Sequence, residues 1–400
     1  MPITVNLTQG TMFVLLVLLC SACATVPMGY PKVLPAGSEQ QSHFWSDRVV
    51  YPFPVQQAKV TDAGEHPWTL TYMDVGKGSN TIVLIHGRGA NAGYFSGIMN
   101  QLVRKHYRVI AVDLPNYGKS LALNYEQPLT RSLQDCRYLI HQLLSAKLGL
   151  KSYAMLGHSM GGQFAIGYAL NYPDEVKALI LESSYGLEEF PQTVKIEKGK
   201  QLDLFDPEYQ HSMSQWQQVW EPLGYLDAVR KQSEEDIRKE YFRSNATSTE
   251  TPIYLNRSPD SLFMFNLRTD MISANQTLFE RFVQVYSRDF YNMGVETRRN
   301  DANSLVKHLD ELKMPVFMAF GAQDHLLPVA NLSGNKSIIN DLALPAWLQL
   351  LSRNNLPVVV SYADAGHAIH ADIADVFAHD VDRFIKHGRV TSEQVKFDYH

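Results

Sequence analysis

Cysteine is scarce: the 400 residues hold three, Cys20, Cys23 and Cys136. So sparse a set cannot build a disulfide framework. Nothing has the spacing of a Cys/His zinc site or of an H-E-x-x-H helix, so no metal is expected. A G-x-x-x-x-G-K-[ST] phosphate loop and a dinucleotide fingerprint are missing as well, and no cofactor is implied. Excess positive charge is also lacking, since 36 Lys and Arg face 41 Asp and Glu for a net charge of -5. With no basic stripe carrying interleaved aromatics, a nucleic-acid partner is not expected. The N-terminal apolar run, Met12 to Ala24, stops at about 13 residues, short of the roughly 20 that span a bilayer. There is no internal repeat and no low-complexity segment.

What the chain does have is a large apolar share, 45% with 11% aromatic, enough for a substantial core. From Trp68 onward, short β-rich runs alternate with helical patterns, which predicts an α/β fold with a mostly parallel sheet covered by helices. The expected strands are Trp68 to Asp74, Thr81 to Ile85, Tyr107 to Val112, Tyr153 to Gly157, Ala178 to Leu181, Val316 to Phe320 and Val358 to Tyr362. Several are continuous apolar runs, as strands buried on both faces require. Phe164, Tyr168 and Leu170 mark a helix ending before Pro173, and Ile373, Phe377, Val381, Phe384 and Ile385 form the apolar stripe of a last helix. Between Ser183 and about Ala302 the strand rhythm gives way to helical patterns. Met213, Trp216 and Trp220 share one face there, and Leu278, Phe279, Phe282, Val283, Val285, Tyr286 and Phe290 cover a broad arc. This reads as a helical insertion over 184–302 into a core formed by 51–183 and 303–390.

The first residues resemble an export signal. The run MFVLLVLLCSACA has the length of a signal-peptide core and ends in Cys20-Ser21-Ala22-Cys23, similar to a bacterial lipoprotein cleavage site with Cys23 as the lipidated residue. Cys20 stands where Leu is usual, and no Lys or Arg precedes Met12. A plain secretory peptide cut near Ala22 or Ala24, or a buried N-terminal element, are the competing readings. Residues 24–50, with Pro27, Pro31, Pro35 and Gly37, have the composition of a tether. The expected location is therefore a bacterial membrane, through a lipid anchor and facing the periplasm, with secretion as a soluble protein the alternative.

Chemistry concentrates at Gly157-His158-Ser159-Met160-Gly161-Gly162, between an apolar strand and a helical pattern. A sharp strand-to-helix turn of this kind strains the central residue, and side chains at 157 and 161 would strike the neighbouring strand and helix. Ser159 is thereby held out at the carboxyl edge of the sheet, beside a helix N-terminus that favours developing negative charge. Upstream, Ile82-Val83-Leu84-Ile85 runs into His86-Gly87-Arg88-Gly89, a loop whose glycines permit close approach. The backbone amides of Arg88 and Met160 are the expected donors to an oxyanion, with His86 a structural hydrogen-bonding residue. Cys136 reads as a small buried apolar residue.

Together with Asp113-Leu114-Pro115-Asn116-Tyr117-Gly118-Lys119-Ser120, similar to a D-x-P-x-x-G-x-S element, these motifs resemble the α/β-hydrolase superfamily over about residues 65 to 388, in members with a helical cap. Asp113 and Ser120 are carried over as architecture. The resemblance implies the chain order Ser, Asp, His. Asp324 then follows the strand Val316 to Phe320 in a G-x-x-D turn, and His367 follows Val358 to Tyr362 after Gly366. His370 competes as base, and Glu182, one strand earlier, as acid. A serine at the elbow argues against the aspartate-nucleophile relatives. The implied activity is hydrolysis of a carboxylic ester with a fairly apolar acyl or alcohol group, through an acyl-enzyme. A thioesterase, an amidase, a carbon-carbon bond hydrolase and an inactive binding protein on the same scaffold remain alternatives. The loop His86 to Asn91 lacks the Gly-Pro-Gly ending of many carbon-carbon hydrolases.

Overall fold

A computed structural model describes residues 29–35, 44–121, 129–190, 193–195, 201–203, 231–244, 252–274, 276–299, 301–328, 337–351 and 357–397. Its centre is an eight-stranded sheet: β1 (Val55–Thr61), β2 (Pro67–Val75), β3 (Asn80–Ile85), β4 (Tyr107–Val112), β5 (Tyr153–His158), β6 (Val176–Glu182), β7 (Val316–Gly321) and β8 (Val358–Tyr362). The strands lie in the order β8-β7-β6-β5-β3-β4-β2-β1. Pairing is parallel from β4 through β3, β5, β6 and β7 to β8, and antiparallel where β2 meets β4 and β1. Each expected strand is present. β1 is added at the edge: VQQAKVT is mostly exposed, and its Gln and Lys side chains blunt an edge that would otherwise template further pairing. Polar residues on both faces hid it from a search for apolar alternation.

Among the described residues the α-helices of eight or more residues are α1 (Ser96–Arg104), α2 (Leu133–His141), α3 (Met160–Asn171), α4 (Glu234–Tyr241), α5 (Pro259–Ala274), α6 (Gln276–Glu296), α7 (Leu344–Leu351) and α8 (Ala374–His387). α1 packs against α8, and α3 lies on β5 and β6 beside α2. Every residue of β5 is buried, as an apolar run covered on both faces must be. In the chain, α4, α5 and α6 fall between β6 and β7, where the helical insertion is expected; Met213, Trp216 and Trp220 lie outside the described residues.

The expected tether differs where it is described. Lys32–Val33 pairs with Val49–Val50, Phe44 and Trp45 are buried, and Arg48 bonds both the Leu34 carbonyl at 2.9 Å and Asp270 of α5. A proline-rich composition suggested an extended linker, but Phe44, Trp45 and Val49 supply enough apolar surface to bind this segment to the domain.

Consecutive strands step from β3 to β4 on one side and to β5 on the other. The order therefore reverses at β3, and the crevice beyond the carboxyl ends of β3 and β5 is where open α/β sheets bind ligands. Ile85 and Gly157 stand opposite each other in register, which brings the loops after β3 and β5 side by side.

Candidate active site

Ser159 sits between β5 and α3 with φ 58° and ψ −124°. A non-glycine residue in this region is strained, and the strain persists only if the surroundings hold it. Here the Ser159 amide donates to the Glu182 carbonyl at 2.9 Å, and its carbonyl accepts from Gly162 at 2.9 Å and Tyr185 at 3.2 Å. The glycines are required by space: a Cβ on Gly157 would stand 2.1 Å from the Gly161 oxygen, and one on Gly161 would stand 2.3 Å from the Ile85 oxygen.

Asp324 follows β7 and His367 follows β8, and the structure brings the two together. His367 Nδ1 lies 2.8 Å from Asp324 Oδ2, while Asp324 Oδ1 accepts from the Leu326 amide at 2.8 Å. A carboxylate acceptor places the proton on Nδ1 and leaves Nε2 with a lone pair. Both side chains are almost fully buried, and His367 lines the same cavity as Ser159. Among the described residues no hydrogen bond joins the Ser159 hydroxyl to the His367 imidazole, whose bonded partner is Asp324.

The loop carrying Arg88 lies against the elbow: a Cβ on Gly87 would come 3.0 Å from Ser159 Cβ. Met160 opens α3, so its amide is among those a helix cannot satisfy internally. The Arg88 side chain stacks on Tyr286, its guanidinium 3.8 Å from the centre of that ring and its Nη1 donating to the Tyr286 carbonyl at 3.3 Å.

Residues 80–372 match the family described as the alpha/beta hydrolase fold. The chain belongs to that family. It is 34% identical over 113 residues to a 2-hydroxy-6-oxononadienedioate/2-hydroxy-6-oxononatrienedioate hydrolase of Paraburkholderia phymatum, covering 28% of this chain and 38% of that protein. It is 25% identical over 316 residues to the abhydrolase domain-containing protein abhd-5.2 of Caenorhabditis elegans, 78% of this chain and 60% of the relative. The chain thus spans less than two thirds of the length of either curated relative. Among solved structures, an esterase from Exiguobacterium antarcticum superposes with a TM-score of 0.55 at 18% identity, over 83% of this chain and 100% of that one.

Within this α/β-hydrolase fold the two competing residues have a different partnership. His370 donates to Glu182 Oε1 from its backbone amide at 2.7 Å and from Nδ1 at 2.8 Å, and both side chains are fully buried. Burial opposes charge on His370, but the Glu182 carboxylate outweighs it and, with Asp260 and Asp372, raises the imidazole above its ordinary range. Glu182 therefore serves His370 and not His367.

A chain of hydrogen bonds that no motif announced links the site's three loops. The Gly87 amide donates to the Tyr94 oxygen at 2.9 Å, the Tyr94 hydroxyl meets His158 Nδ1 at 2.7 Å, and His158 Nε2 meets the His367 carbonyl at 3.0 Å. A carbonyl can only accept, so Nε2 carries the proton and Nδ1 accepts from Tyr94. Burial, then the nearby His367 and His370, push the His158 pKa well down, which keeps it neutral. His158, Glu182 and His370 also place one potential metal-ligand atom each within 4.8 Å of one another. Both His158 nitrogens are committed to hydrogen bonds, so His158 would have to give one up to ligate an ion.

His86 and Asp113 hold the scaffold. His86 Nδ1 donates to the Gly87 carbonyl at 2.8 Å and Nε2 accepts from Leu114 at 3.0 Å, and burial lowers its pKa to about 4. Asp113 accepts from the amides of Ala92 and Lys119 and from Tyr51, each at 2.7 Å. Ser120 Oγ donates to the Asp113 carbonyl at 2.9 Å and accepts from the Thr71 amide at 2.7 Å. Cys136 is buried, which pushes its thiol up to about 12.

The cavity over Ser159 has about 870 Å³ of empty space continuous with solvent. Tyr254, Met264, Phe282 and Leu326 give it apolar walls, while Gln232, Glu240 and Arg268 add polar groups from α4, its N-terminal flank and α5. Sequence reasoning missed the polar groups because a charged residue on a helix is read as solvated by default.

Proposed function

We propose that this chain is a serine hydrolase cleaving carboxylic esters, with Ser159 as nucleophile, His367 as general base and Asp324 as the carboxylate that orients it. The supporting observation is one cavity shared by a strained, outward-held Ser159 and an imidazole whose Nδ1 is fixed by Asp324 at 2.8 Å. His367 Nε2 takes the serine proton as Oγ attacks the acyl carbon, and the resulting imidazolium is stabilised by the buried carboxylate. The amides of Arg88 and Met160 receive the oxyanion, each such donor contributing on the order of 3 kcal/mol to the transition state. Proton return to the departing alcohol leaves an acyl-enzyme, which water cleaves by the same steps in reverse.

The similarity to a dienedioate hydrolase supports a second reading, carbon-carbon bond cleavage at the same serine. A panel of 4-nitrophenyl esters, thioesters, anilides and vinylogous 1,5-diketones separates these. Fastest turnover of esters, lost by about 10⁴-fold or more in Ser159→Ala, is expected; equal activity in that variant would remove Ser159 from the mechanism, and preference for the diketones would move the reaction class. Export on a lipid anchor at Cys23 is part of the proposal, though Cys23 lies outside the described residues. Mass spectrometry of the mature N-terminus should show diacylglycerol on Cys23, and a start at Ala24 or later without lipid would exclude the anchor.

A further inference from the structure

Arg268 projects from α5 into the cavity that holds Ser159 and His367. It is only 8% exposed. Its Nη2 donates to Gln232 Oε1 at 2.8 Å, but its Nη1 is buried without a hydrogen-bond partner among the described residues. No carboxylate pairs with it there: Gln232 stands between, its Nε2 donating to Glu240 Oε2 at 2.7 Å. The guanidinium carbon lies over the rings of Phe282 and Phe279, 4.5 and 5.3 Å from their centres.

A buried cation normally carries a counter-ion, because desolvating an uncompensated charge is costly. Aromatic faces offset part of that cost, yet they cannot accept the Nη1 hydrogens. An unused donor on a permanently charged fork, on a residue lining the same cavity as a candidate nucleophile, has the chemistry of an anion receptor. We infer that Arg268 is a specificity residue that binds an anionic group, carboxylate or phosphate monoester, carried by the substrate away from its scissile acyl bond. The inference rests on the serine-hydrolase reading and deepens it: the apolar walls would take the chain between the two ends, and the guanidinium would select substrates with a negative terminus.

The test compares 4-nitrophenyl pentanoate with the mono-4-nitrophenyl ester of glutaric acid, close in size but ending in a carboxylate. Wild type should favour the anionic ester in kcat/KM by tenfold or more. In Arg268→Gln that ratio should collapse toward one through KM, with part of it restored in Arg268→Lys, which keeps the charge without the fork. Pentanoate and propyl phosphate as competitive inhibitors identify the preferred anion, and the tighter one should weaken most in Arg268→Gln. A merely structural Arg268 would lower both esters together and leave the ratio unchanged; that result, or a wild-type ratio near one, overturns the inference while hydrolysis itself stands. If wild type cleaves neither ester and a fluorophosphonate fails to label Ser159, the hydrolase reading fails and takes this inference with it.

Discussion

The phenol of Tyr94 accepts from the Gly87 amide and donates to His158, whose other nitrogen reaches the His367 carbonyl. One side chain thus couples the loop after β3, the turn carrying Ser159 and the loop carrying the base. Tyr94→Phe keeps the ring and removes both bonds, leaving a buried amide and a buried imidazole nitrogen unpaired, a cost of roughly 1–3 kcal/mol each. Ester hydrolysis should fall about tenfold in kcat with little change in KM, because positioning and not substrate contact is lost. Unchanged kcat would show that backbone packing alone holds the loops. At this scale the sequence was legible only in part. Ser159 announces itself because the glycines that a tight elbow needs are local in sequence. Asp324 and His367 could be named through their order after successive strands. Tyr94 and Arg268 carry no local signature, since their partners lie far away in the chain.

The elements joining the inserted helices to the sheet are held by buried polar groups. Arg137 of α2 forms a two-pronged pair with Glu296 at the end of α6, at 2.6 and 2.8 Å. Arg288 of α6 donates to Asn116 Oδ1 at 2.9 Å, next to the Tyr117 hydroxyl that bonds Asp289 at 2.6 Å. Asp260, in the first turn of α5, caps the start of α1 by accepting from the Ser96 hydroxyl and, at 2.8 Å, from the Gly97 amide. Burial raises the Asp260 carboxyl to about 6 from an ordinary 3.8, despite those hydrogen bonds. A carboxyl raised by folding stabilises the folded state fully below its unfolded value and loses that contribution as pH rises through about 6. Wild type should therefore gain up to about 3 kcal/mol relative to Asp260→Asn between pH 7 and pH 4. Denaturant titrations at several pH values check this, and a difference that shrank on acidification would contradict it. Helix periodicity in Leu278, Phe282 and Val285 was readable as an apolar arc. The charged residues on the same helices were not readable as clamps, because a surface ion pair and a buried one look alike in sequence.

Across the whole molecule, the doubly covered sheet was readable because strands buried on both faces are written as continuous apolar runs. What escaped was the periphery: the polar edge strand β1, and the stretch from Lys32 to Val50 that packs on the domain where a linker was expected. Short, mixed segments lack the periodicity that betrays an element, and only tertiary partners such as Asp270 decide their fate. The global arrangement carries one chemical consequence, that loops after β3, β5, β7 and β8 meet at a single edge of the sheet. Intact-mass analysis after treatment with an alkyl fluorophosphonate tests that convergence most directly. One phosphonyl adduct on Ser159 is expected, forming at least about 10³-fold more slowly in His367→Ala and absent in Ser159→Ala. No adduct, or one on another residue at the wild-type rate in both variants, would contradict it.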